Sequence, residues 1–148
     1  MAPTSSVSFP VTSSDTTEGT VSTSTLSFST DNWSTAQTVT VNGVDDTLSD
    51  DNQAFSVTFG PVTSSDVNYA GKNPDDVSVT NVDNETASIT VSAFSGNTTE
   101  MGGNATFTVV LGSQPTFDVS IAVSSSDTRE ATISPSSLTF GSYNYSTY

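Results

Sequence analysis

Cysteine and histidine are both absent from the 148 residues. Without cysteine the chain has no disulfides and no thiolate metal ligands, and its redox compartment leaves no trace. Without histidine it lacks the usual general base and the commonest transition-metal ligand. Cations are almost as scarce, since Lys72 and Arg129 stand against 16 acids for a net charge of −14. Phosphate backbones and anionic headgroups repel such a chain, which makes nucleic acid and membrane surfaces poor partners. Trp33 is the only tryptophan, and no apolar run is long enough to span a bilayer. The N-terminal residues have neither the basic nor the apolar part of a secretory signal, so an exported parent would carry its signal outside this window.

What is abundant is serine and threonine, over a third of the residues. That composition alone suits a disordered or mucin-like stalk. The patterning excludes that reading. Phe117, Val119, Ile121 and Val123 alternate with polar residues, as do Phe107, Val109 and Leu111, and again Phe55, Val57 and Phe59. Alternation with period two marks half-buried strands, and threonine on the outer face favours strands. The expected class is all-β. Nine strands are expected, near residues 6–13, 20–28, 37–43, 54–60, 76–82, 87–94, 104–112, 117–125 and 131–140. Their inward residues are Leu26, Phe28, Val39, Val41, Phe55, Val57, Phe59, Val77, Val79, Ile89, Val91, Phe107, Val109, Leu111, Val119, Ile121 and Val123.

The chain repeats itself. Ser13–Phe28 reads SSDTTEGTVSTSTLSF and Ser125–Phe140 reads SSDTREATISPSSLTF, a constant offset of 112 residues. From Pro3 against Pro115 to the C-terminus, 18 of 34 aligned positions are identical without a gap. Repetition at this length marks a tandem array. One period then holds seven strands, which suits an antiparallel immunoglobulin-like β-sandwich. The expected division is residues 1–85, the last five strands of one module, and residues 86–148, the first four of the next. Each part leaves sheet edges open, to be closed either by a longer array or by strand addition between copies.

The acids fall mostly on loops at one end of such a module. Asp15 and Glu18, with their copies Asp127 and Glu130, follow one strand; Asp45, Asp46, Asp50 and Asp51 follow another; Asp83 and Glu100 lie on two further loops of the same end. Crowded carboxylates repel one another unless a cation sits among them. Oxygen donors in number, without histidine or cysteine, favour Ca²⁺ over transition metals. The spacing is not that of an EF-hand, and solvated loop acids are the simpler alternative.

Three stretches together, FTVVLGSQPTFDVSIAVSSSDT, STLSFSTDNWSTAQTVTVNGVDD and NYAGKNPDDVSVTNVDNETASITV, resemble the Calx-beta-type tandem modules of very large bacterial surface proteins and adhesins. The resemblance covers essentially the whole chain in permuted order. It implies a seven-stranded sandwich used in strings, with calcium at the intermodule end. Its acidic positions match Glu100, Asp127 with its copy Asp15, Asp45, Asp46, Asp50 or Asp51, and Asp83. The family's acidic triplet after the last strand reads VDNE here, with Asn84 in the middle, which removes one ligand.

No catalytic constellation emerges. Serines and acids abound without a histidine to activate them, and paired carboxylates of the glycosidase kind lack an aromatic cleft in the sequence. Trp33, copied as Tyr145, reads as an amphipathic loop anchor, and Gly102-Gly103 as a turn. Five Asn-X-Ser/Thr triplets are only slightly more than chance supplies in so Ser/Thr-rich a chain. The expected role is a non-catalytic extracellular or cell-surface spacer of a stalk or filament, with calcium-stiffened junctions and copies of itself as partners. The alternative is an adhesin module that recognises a glycan, ice or a protein.

Overall fold

The computed structural model describes residues 2–147. It is all-β: the described residues contain no helix and form eleven strands, every strand pair antiparallel. They are β1 (Val7–Ser13), β2 (Gly19–Val21), β3 (Thr25–Phe28), β4 (Val41–Gly43), β5 (Gln53–Phe59), β6 (Thr63–Ser64), β7 (Val77–Asn81), β8 (Ile89–Val91), β9 (Val109–Leu111), β10 (Val119–Ala122) and β11 (Ser137–Phe140). The chain divides into two compact units, residues 1–46 with 51–83, and residues 84–148 with 47–50.

In the first unit the strand order is β3-β1-β5-β7, with β6 also on β1 and a separate β2–β4 pair. β1 changes partners along its length: Val7 to Pro10 face β3, and Val11 to Ser13 face β5. The change falls at Pro10, which has no N–H to offer a ladder. Gly60 permits it, because its N–H donates to the Pro10 carbonyl and a Cβ there would lie 2.4 Å from the Pro10 ring. Val7, Val11, Phe55, Val57 and Val62 are buried. Phe9 stacks on Phe28 and meets Phe59 edge-on.

The second unit is smaller. Its pairs β8–β9 and β10–β11 share a core of Val109, Leu111 and Phe140, with Phe107, Val119, Ile121, Leu138 and Tyr145 packed around it.

The strands are shorter than alternation suggests, and the expected strand at 20–28 is two. β2 pairs with β4 and β3 with β1, so the segment breaks at Ser22–Ser24 where it changes partner. The short β6 lies in a stretch read as loop. Of the seventeen expected inward residues, Phe55, Val57, Val109 and Leu111 are buried and ten are half-buried, which supports the register. Val77, Ile89 and Val91 are corrections, since each is more than half exposed. Val77 opens β7, paired on one side only, and β8 has β9 as its sole strand partner. Phe117, at 86% exposure, stands outside β10 and outside the core.

The repeat is also a structural repeat. The β1–β3 register pairs Val7 with Phe28 and Phe9 with Leu26; β10–β11 pairs Val119 with Phe140 and Ile121 with Leu138. Each residue of the second set lies 112 positions after its counterpart. Hydrogen bonds recur at the same offset. Val11 N–H to Ser24 carbonyl becomes Val123 to Ser136, and Gly19 to Asp15 becomes Ala131 to Asp127. Ser29 N–H to the Asn32 side chain becomes Gly141 to Asn144.

Candidate functional site: a loop carboxylate group and two apolar cavities

Asp15 shows how loop acids are used locally. Its Oδ1 accepts the Thr17 N–H at 2.9 Å and the Thr17 hydroxyl at 2.6 Å, an Asx-type turn. Those bonds, the hydroxyl's first, hold its carboxyl below the ordinary value. The copy Asp127 accepts the Arg129 N–H at 3.0 Å and is clasped by the guanidinium, Nε at 3.1 Å and Nη2 at 3.0 Å. That guanidinium pair, more than the backbone bond, lowers the Asp127 carboxyl. Both acids therefore fix the turn after an equivalent strand.

The Val44–Asn52 loop gathers more carboxylates. Glu18, just before β2, and Asp46, just after β4, are brought together by the β2–β4 pairing, which aligns Gly19 with Gly43. Val44 N–H donates to the Glu18 carbonyl at 3.0 Å. Asp50 lies four residues beyond Asp46 on the same loop, in the stretch that belongs to the second unit. Asn81 Nδ2 donates to Glu18 at 3.2 Å and to the Val44 carbonyl at 2.9 Å, bracing the same corner from β7.

The other expected ligands lie elsewhere. Asp51 adopts the left-handed region at φ 65° and gives its N–H to an Asp83 oxygen at 2.9 Å. An aspartate tolerates that conformation better than most residues. Asp45 is exposed beside Asp46, Glu100 is exposed in the turn before Gly102, and Glu130 is exposed after Arg129. The carboxylates of Glu18 and Asp46 at this corner are donors that suit a hard cation.

Asp66 plays a part that the sequence pattern does not single out. It is 4% exposed and accepts hydrogen bonds from Thr4 N–H at 2.8 Å, Asn68 N–H at 2.9 Å and Asn68 Nδ2 at 3.0 Å. The Thr4 bond, then that of Asn68, lowers its carboxyl against the opposing effect of burial.

Each unit has a cavity, mostly apolar in the first and with a mixed lining that includes Asn104, Thr106 and Thr132 in the second. In the first, Phe9, Phe28, Trp33, Tyr69, Val7 and Lys72 are among the walls of a space of about 390 Å³. In the second, Phe107, Val123, Ile133 and Leu138 line one of about 460 Å³. Val123 corresponds to Val11, which is fully buried in the first unit, where β5 lies beside it. No strand of the second unit takes the place of β5 on β10.

Among the described residues no helix is long and apolar enough to cross a membrane. Comparison with protein-family models, with curated proteins and with solved structures gives no match.

Proposed function

We propose that the chain is a stretch of a tandem array of seven-stranded, Calx-beta-type β-sandwich modules, serving extracellularly or at a cell surface as a non-catalytic spacer of a stalk or filament. The observation that carries this reading is the 112-residue repeat of the β1–β3 hairpin register and its turn hydrogen bonds, reproduced at β10–β11. A chain that builds one strand pair twice at constant spacing is suited to length and stiffness. Partners are then copies of the same module.

In this reading Ca²⁺ is held by the loop acids, Glu18 and Asp46 at the β2–β4 corner among them, and it neutralises carboxylates that would otherwise repel. Its contribution is to stiffen the loop between β4 and β5.

The test is an in-register concatemer, the chain lengthened by one further 112-residue period. The expected result is a higher melting temperature and a rod whose length by electron microscopy grows by one module. An unchanged melting temperature with flexibly strung beads would reject the array. A second reading, a ligand-binding adhesin module, is favoured by Trp33 and Tyr69 lining one cavity with Lys72. Glycan-array binding that is lost in Trp33→Ala would favour it over the spacer.

A further inference from the structure

The two units are incomplete in complementary ways. In the second unit the face of β10–β11 is covered: Val109 and Leu111 of β9 form a core with Phe140, and Val119, Ile121, Leu138 and Tyr145 pack against it. The Leu111 N–H also donates to the Tyr145 carbonyl at 2.7 Å. In the first unit the positions 112 residues earlier are Phe28, Val7, Phe9, Leu26 and Trp33. Four of these, Val7, Phe9, Phe28 and Trp33, line the open cavity of about 390 Å³. Phe140 is fully buried and Tyr145 half-buried under their cover, whereas their counterparts Phe28 and Trp33 are half-buried and 43% exposed; Val7 is already buried within its own unit.

We propose that this cavity is the docking site for the β8–β9 strand pair of a second copy of the chain. Val109 and Leu111 enter it as they cover Phe140 in their own unit. The chain thus displays the interface once already, on a surface of the same register. Charge agrees with this occupant. Copies at net charge −14 repel one another, yet between Ala87 and Leu111 the only charged residue is Glu100. Lys72, one of two cations in the chain, lies in the cavity wall.

Because β9, which is paired to β8, already covers β10–β11, docking in trans is an exchange of one strand pair between two similar surfaces, a low-cost route to association. The acceptor offers Phe9 and Trp33 where the home surface offers Ile121 and Tyr145. The larger side chains give more apolar area to cover, and rising concentration drives the exchange. The inference rests on the array reading for its biological meaning, but the two can fail separately.

Trp33, the sole tryptophan, is the reporter. Full-length native chain is titrated with full-length Trp33→Tyr, which has no tryptophan of its own. The expected result is a saturable blue shift of Trp33 emission, at least tenfold weaker when the added chain also carries Leu111→Asp. Since that variant could lose its fold, a second measurement mixes full-length Leu111→Cys with a mass-tagged Trp33→Cys. The native chain has no cysteine, and oxidation is expected to give the mixed dimer tenfold above either like pair. Unchanged emission together with no excess of mixed dimer overturns the proposal. So does a shift produced by simple sugars and not by the chain. A concatemer that gains stability while copies do not exchange would leave the array reading standing and remove this one. Exchange without any gain in the concatemer would do the reverse.

Discussion

The carboxylate of Asp66 accepts the backbone N–H of Thr4 at 2.8 Å, across 62 residues of sequence. It ties the segment leading into β1 to the turn after β6, and Asn68 completes its hydrogen bonding. All these donors favour the charged form, which is why the folded carboxyl lies below its ordinary value of 3.8. A carboxyl lowered on folding contributes stability that is fully present above the unfolded value and lost as pH falls through the folded one. Asp66→Asn is therefore expected to lower the melting temperature at pH 7, with the gap from native closing as pH drops below about 4. Asp15 and Asp127 are lowered too, so the difference between native and variant is the quantity to measure. A gap constant from pH 7 to 3 would mean that the charge on Asp66 is irrelevant to its role.

Phe55 and Gly19 share one space in the first unit. A Cβ on Gly19 would lie 2.2 Å from Phe55 Cζ, and Phe55 is only 5% exposed. Phe55→Ala is expected to cost about 3–5 kcal/mol, as large-to-small core changes do. Gly19→Ala is expected to cost about 1–3 kcal/mol by overpacking. The double variant should be milder than the sum, because the alanine methyl then occupies vacated volume. Urea unfolding of the three variants checks this, and strict additivity would show that the two residues do not meet. The copy of Gly19 is Ala131, in a unit with no counterpart of Phe55, where a methyl meets no such ring.

Alternation read the centre of the fold well. Phe55 and Val57, Val109 and Leu111 stand where period two puts them, because each has a neighbouring sheet or loop to bury it. It failed at Ile89 and Val91, since alternation reports which face a side chain takes and says nothing of whether that face is covered. The break between β2 and β3 had a signal that alternation over the whole window concealed. Val21 is odd-numbered while Leu26 and Phe28 are even-numbered, so the inward face changes parity between them. The loop acids show the opposite limit. The order of strands assigns them to one end of a module, but which acids meet depends on register, as where the β2–β4 pairing sets Glu18 beside the loop that carries Asp46. Asp66 was illegible as an anchor because its partner is a backbone N–H far away in sequence.

Calcium bound by the loop acids stabilises the folded chain by mass action. At calcium a hundredfold above its dissociation constant the gain is about 2.7 kcal/mol. The expected outcome is a melting temperature several degrees higher in millimolar Ca²⁺ than with chelator, and no such difference in Asp46→Asn/Asp50→Asn. Native protein indifferent to calcium would leave these acids as solvated loop residues. Asp15→Asn should retain the calcium response, since its carboxylate is engaged with Thr17.

Amide exchange should separate the two units. β5 lies between β1 and β7, and its Phe55 and Val57 are 5% and 3% exposed. In the second unit β8 pairs with β9 alone, and its Ile89 and Val91 are each 57% exposed. β10 likewise has β11 as its only strand partner. Strands with few buried contacts open locally at lower free energy than the centre of a core. At low protein concentration the amides of β8 to β11 are expected to exchange roughly tenfold or more faster than those of β5, a difference of about 1.4 kcal/mol in opening free energy. The contrast is sharpest within the repeat, where Val11 and Val123 occupy the same register. Val11 N–H is bonded to Ser24 and its side chain is fully buried; Val123 N–H is bonded to Ser136 but faces a cavity. Both amides make the same local bond, so a difference in their exchange measures what the neighbouring strands add. Equal protection at Val11 and Val123 would mean that the hairpin is stable by itself and that β5 contributes nothing to it.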